Sequence, residues 1–496
     1  MSNPDVTSAD LRSTTSGRGK RPKRVLRVNL RLLAALLAIL ALAAPAIYFW
    51  RAHQVRRNAN AMLQQAEQLE KKNDWSSAVT WYFRYLQLAP EDNHTQIRLA
   101  EAFDKSARRP AQKHRAVELY ARAIASNATH DRIRELYRRQ AELLLEVGRF
   151  DEAEDRARWL LDHPAEPVPI GNAGQPSRAG LDPVALRLMA KALDGQLRQR
   201  ANVDVAKVID ALKVALEHNP GDVELTLALV RSYRDARVVI PDLDRPARHK
   251  LADQAIDRMV ELNPGDVASR LARYRCRVFY GLSGADEDLT AAQQLAPDNS
   301  DVLLLSADAA LRSRDYSKAR DYCQKLVNVA PGDRRGYELL VQTYLNMGAS
   351  KEAIGACEQG LARMGEHDLD LDLLLVQALI NEGRLDEAGK TLTAMESIAR
   401  KLGPDLSAPE RRRVIEALEV AKAQLALASG RAAAAIDILR RTAAGHTAGS
   451  DVERDANEQT RRWLLLGDAY AQIDQWDLAA TAYDDAAAVD VNAAGL

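Results

Sequence analysis

Apolar residues recur every three to four positions through most of this chain, and the recurrences come in pairs. In 301–333, DVLLLSADAALRSRDYSKARDYCQKLVNVAPGD, Leu304, Ala307 and Leu311 fall on one helix face. After a polar turn at Arg314-Asp315, a second helix starts near Tyr316 and aligns Ala319, Cys323 and Leu326. Pro331 stops it, since proline has no N–H to donate and clashes with the preceding turn. Ala307 and Ala319 are twelve residues apart and small, so the two backbones can approach closely. A hairpin this short cannot bury its own apolar face and must stack on neighbours.

The twelve-residue step between small residues returns along the chain. It joins Ala66 to Ala78, Ala141 to Ala153, Val341 to Ala353, Val376 to Ala388, Ala423 to Ala435 and Gly467 to Ala479. Longer steps join Ala100 to Ala116, Ala190 to Val208 and Val230 to Ala252. The unit ending at Pro297 is the least regular, with Ala285 as the small residue of its second helix. The closing prolines Pro264, Pro297 and Pro331 lie 33 and 34 residues apart. Trp463 to Tyr470, WLLLGDAY, fits W-x2-L-G-x2-Y in full. This spacing and this motif resemble the tetratricopeptide repeat.

The resemblance covers residues from about 59 to 491. It implies an all-α, right-handed α-solenoid of about eleven hairpins, with a concave groove lined by first helices that binds segments of other proteins. Helix geometry nominates its lining: Leu304, Asp308 and Arg312 in one unit, Glu338, Gln342 and Asn346 in the next, and Arg138, Glu142 and Glu146 earlier. The Lys and Asn pattern with which some members of the family clamp a terminal carboxylate is not evident.

Composition supports helices over sheets. Hydrophobic residues make up 47% of the 496 but aromatics only 5%. Net charge is zero, from 69 basic and 69 acidic residues, but residues 1–31 hold eight basic side chains against Asp5 and Asp10. The remainder is mildly acidic, which argues against nucleic acid as a partner. Cys276, Cys323 and Cys357 are scattered and read as buried core thiols, with no disulfide or zinc pattern.

Residues 1–31 read as a disordered basic tail. Leu32 to Trp50 is a run of 19 residues without a charge, about 28 Å long as a helix, which suggests a transmembrane span. Ala44-Pro45-Ala46 offers the alternative of a cleaved signal peptide. Eight basic residues precede the run within 12–31 and three follow it within 51–70, which predicts a cytoplasmic N-terminus and repeats on the exoplasmic or periplasmic side. Beyond the span, the expected order is a first repeat block at 59–164, a Pro- and Gly-rich linker at 165–183, and a second block at 184–491.

No phosphate-loop, nucleophile-elbow or zinc-protease motif is present. The acidic pairs Asp151-Glu152 and Asp386-Glu387 precede second helices and suit their positive N-terminal ends. The sequence therefore predicts a membrane-anchored protein-interaction scaffold of the cell envelope, without cofactor, metal or catalysis. Alternatives are an accessory or regulatory subunit of an export or secretion machine, and an enzyme, which would need a convergent polar cluster. The last hairpin leaves an apolar side uncovered, which suggests end-on self-association.

Overall fold

A computed structural model describes residues 50–51, 53–54, 56–127, 131–165, 181–199, 203–235, 240, 243–364, 368–402, 408–443 and 452–494. Among the described residues the elements are all helices, and the one isolated β-bridge joins Ile240 and Leu243. The chain divides into two compact units at Val214 and Ala215.

In the first unit, α1 (56–71), α2 (Trp75–Leu88), α3 (Asn93–Ser106), α4 (Pro110–Ser126), α5 (Ile133–Glu146), α6 (Phe150–Asp162) and α7 (Pro183–Gln199) follow in order. From α2 onward each packs on the next, and α5 also touches α7. Helix α8 (Val205–His218) carries the chain into the second unit. There α9 (Val223–Arg234), α10 (Arg245–Leu262), α11 (Val267–Phe279), α12 (Ala285–Leu295), α13 (Ser300–Arg312) and α14 (Tyr316–Val329) come first. They are followed by α15 (Arg334–Asn346), α16 (Ser350–Met364), α17 (Leu369–Asn381), α18 (Leu385–Leu402), α19 (Ala408–Ala428), α20 (Ala432–Ala443), α21 (Val452–Gln472) and α22 (Trp476–Ala494). Each of these also packs on the next, and α13, α15, α17, α19 and α21 form a row in which each touches the one after it. This is the nearest-neighbour packing of tetratricopeptide-like hairpins.

The small pairs drive that packing. Ala66, Ala78, Ala141, Ala153, Ala307 and Ala319 are fully buried, as are Val341, Ala353, Val376, Ala388 and Ala435. A larger side chain at these crossings would hold the backbones apart. Phe150 meets a different solution: its ring lies over Gly195, where an added Cβ would come within 2.3 Å of the ring. The thiols of Cys323 and Cys357 are fully buried at matching positions of α14 and α16, and Cys276 is buried on α11.

The turns are as regular as the crossings. In the hairpins with a twelve-residue step, the backbone enters the left-handed region seven residues after the first small residue. Gly148, Gly348, Gly383 and Gly430 occupy that place in four hairpins, and Asn73, Arg314 and Asp474 do so in three others. The closing Pro-Gly-Asp sequences act as turn plus helix cap. Asp222, Asp266 and Asp333 each accept hydrogen bonds from backbone N–H groups in the first turn of the next helix.

The irregular unit departs from its sequence reading. Ala285 opens α12 half-buried. The buried place, four residues after the cap as Ala319 follows Asp315, belongs to Asp288. A carboxylate stands where a small apolar residue is expected because α11 answers it with two arginines. Arg273 Nε donates to both Asp288 oxygens at 2.9 Å, and Arg277 Nη1 donates to Oδ2 at 2.9 Å.

The expected single-pass membrane topology is corrected. Among the described residues no helix is long and apolar enough to cross a membrane. Residues 1–31 and 32–49 lie outside the described residues, as do 166–180 of the expected linker. A hydropathy window reports only that a stretch is long and apolar enough should it form a helix. The localisation and the membrane attachment read from it do not stand.

Candidate functional site

Helices α15, α17, α19 and α21 together border an open groove of about 460 Å³ within the second unit. Its floor is apolar, from Leu373 and Leu374 on α17 and Ala417, Val420 and Ala421 on α19. Its walls are polar. Gln342, Gln377 and Gln424 each follow the buried small residue of their helix, Val341, Val376 and Ala423. They therefore hold one register on three consecutive first helices, a signal already present in the sequence once the small residues are aligned.

Charge in the groove is internally paired. At one end Arg334 reaches Glu338 at 2.9 Å, Asp370 at 2.8 Å and Asp368 at 3.5 Å. At the other, Arg462 lies 3.4 Å from Glu416, and Arg461 Nη2 donates to Gln377 Oε1 at 3.0 Å. Gln377 Nε2 in turn donates to Asn381 Oδ1 at 3.0 Å. The carboxylates of Glu338, Asp368 and Asp370 lie within 4.8 Å of one another, close enough to share a cation. The Arg334 guanidinium contacts all three and supplies that positive charge itself.

Burial pushes the Glu338 carboxyl above its ordinary value of 4.5; Arg334 pulls it down, while Asp370 and Asp368 add to the rise. A carboxyl raised by folding stabilises the fold below its unfolded value, and that contribution is lost as pH rises through the folded value. Glu338→Gln therefore leaves the protein as stable as, or more stable than, the parent at neutral pH, and the difference shrinks below about pH 4.5. Urea denaturation at pH 7 and pH 4 measures it. A variant clearly less stable at pH 7 would mean that the Arg334 pairing outweighs the burial.

The structure brings two of the nominated residues together, Glu338 and Gln342, both on the groove. Asn346 is exposed one turn beyond Gln342 on the same helix. On α13, Asp308 pairs with Arg312 at 3.2 Å, Arg312 Nη2 donates to Tyr274 Oη at 2.6 Å, and Leu304 is half-buried. In the first unit Arg138 and Glu142 pair at 3.1 Å on α5, with Glu146 one turn on. The sequence reading missed Arg334, Gln377, Gln424, Arg461 and Arg462. It projected the lining from isolated hairpins, whereas the groove draws on four.

Comparison with solved structures gives distant likenesses. A structure of MamA, residues 41 to the end, from Desulfovibrio magneticus RS-1 is 15% identical with a TM-score of 0.30, covering 42% of this chain and 96% of that one. The human IFIT1 dimer with PPP-AAAA is 13% identical with a TM-score of 0.36, covering 80% and 91%. A tetratricopeptide repeat protein from Parabacteroides merdae is 13% identical with a TM-score of 0.32, covering 66% and 98%. The sequence matches no family model and no curated protein.

Proposed function

We propose that this chain is a protein-interaction scaffold that takes a segment of a partner polypeptide into the groove bordered by α15, α17, α19 and α21. The observation that carries this reading is the lining: amide side chains in one register above an apolar floor. Side-chain amides offer both a donor and an acceptor, which matches a peptide backbone. The equal mix of guanidinium and carboxylate groups in the walls suits a polypeptide better than a phosphate backbone, which rewards clustered cations.

The test is a photoreactive residue placed at Gln342, on the groove, or at exposed Lys390 on α18. On illumination in cells, the first forms polypeptide adducts and the second does not. No adduct from Gln342, or equal adducts from both, would remove the reading. A single stoichiometric adduct identifies a subunit of a fixed assembly, and several identify a scaffold for changing partners.

A further inference from the structure

The groove also constrains the conformation of what enters it, through two repeat distances. Helices α15 and α17 lie against each other, as do α17 and α19, and packed helices sit about 8–10 Å apart. A polyproline II chain has three residues per turn at 3.1 Å each, so it presents the same face about every 9 Å. A β-strand presents the same face every two residues, about every 6.6–6.8 Å, and falls out of step at the next helix. The polyproline II chain also forms no internal hydrogen bonds, so its amides remain available.

Gln342, Gln377 and Gln424 supply one amide on each of these three helices, in one register. Arg461 fixes the Gln377 amide by donating to its oxygen. We propose that the groove reads a partner segment in polyproline II conformation, one glutamine bonding one backbone amide per turn of ligand. The segment carries little net charge, because Arg334 already pairs with Glu338 and Asp370, and Arg462 with Glu416. Every third residue keeps its N–H, and the two between tolerate proline. This rests on the protein-binding reading above and adds the form of the ligand.

The experiment is fluorescence anisotropy on the full chain with two labelled peptides of equal length, one of Ala-Pro-Pro repeats and one of alternating Thr and Gln. The Ala-Pro-Pro peptide binds at least tenfold tighter. Combined Gln342→Ala, Gln377→Ala and Gln424→Ala weakens it at least tenfold, with an unchanged helical circular-dichroism spectrum and melting curve. Should the triple variant melt early, Gln342→Ala alone, at an exposed position, weakens binding at least threefold. No saturable binding of the Ala-Pro-Pro peptide, equal or tighter binding of the Thr-Gln peptide, or indifference to the glutamines overturns the proposal. Adducts at Gln342 together with any of these results leave the scaffold reading standing and remove only the ligand form.

Discussion

Replacing Asp288 by alanine costs the second unit about 3–5 kcal/mol, the loss typical of stranding buried charge. Asp288 is 1% exposed. It accepts from Arg273 and Arg277, whose side chains are themselves largely buried, at 16% and 19% exposure. Asp257 contacts both arginines, at 2.9 and 3.0 Å, but is half-exposed and brings one charge against two. Without Asp288 the two guanidiniums lose their buried acceptor, and α11 and α12 lose the ion pairs it makes between them. Urea denaturation followed by circular dichroism measures the fall in midpoint. Replacing all three residues by apolar ones of similar volume recovers most of the loss, because desolvation offsets much of the attraction in a buried network. A cost under about 1 kcal/mol for Asp288→Ala would show that water replaces the carboxylate.

A second large effect comes from an apolar residue. Tyr337 on α15 is 1% exposed, and its ring lies against Gly360 of α16, where an added Cβ would come within 3.0 Å of the ring and 3.1 Å of Leu371 on α17. Two consecutive hairpins meet at this ring. Tyr337→Ala removes it from a filled site and costs about 3–5 kcal/mol, as aromatic truncations in cores do. Stacked hairpins are held by nearest-neighbour interfaces, so the loss falls on coupling between units as well as on the hairpin itself. Gln342→Ala, five residues on along the same helix but exposed, changes stability by less than about 0.5 kcal/mol. Paired denaturation curves test both. Equal costs would mean that the groove glutamines are structural and would undercut their use as binding probes.

Much of the fold was legible because its determinants are local and repeated. The small residues at the crossings mark most of the hairpins in the sequence, and the closing Pro-Gly-Asp segments mark the cap of the next helix. Two features resisted. Asp288 breaks the small-residue pattern, and only the arginines folded beside it explain how a carboxylate occupies that place. Arg314 hides the shared turn position behind a residue that seldom adopts a left-handed backbone. The groove was half legible. Register alone nominates Glu338 and Gln342, but Arg461 lies 84 residues from the Gln377 it contacts, a distance no periodicity spans. The membrane reading rested on flanking charges and on an apolar run that lies, but for Trp50, outside the described residues, and among the described residues no helix is long and apolar enough to cross a membrane.

The sulfur positions give this protein a built-in clock. Burial pushes the Cys323 and Cys357 thiols up to about 12. At pH 7 only about one in a hundred thousand of either is ionised while the hairpins are shut. An alkylating reagent must therefore wait for α14 or α16 to lift away from its neighbours, and the pace of modification at each cysteine times the breathing of its own repeat.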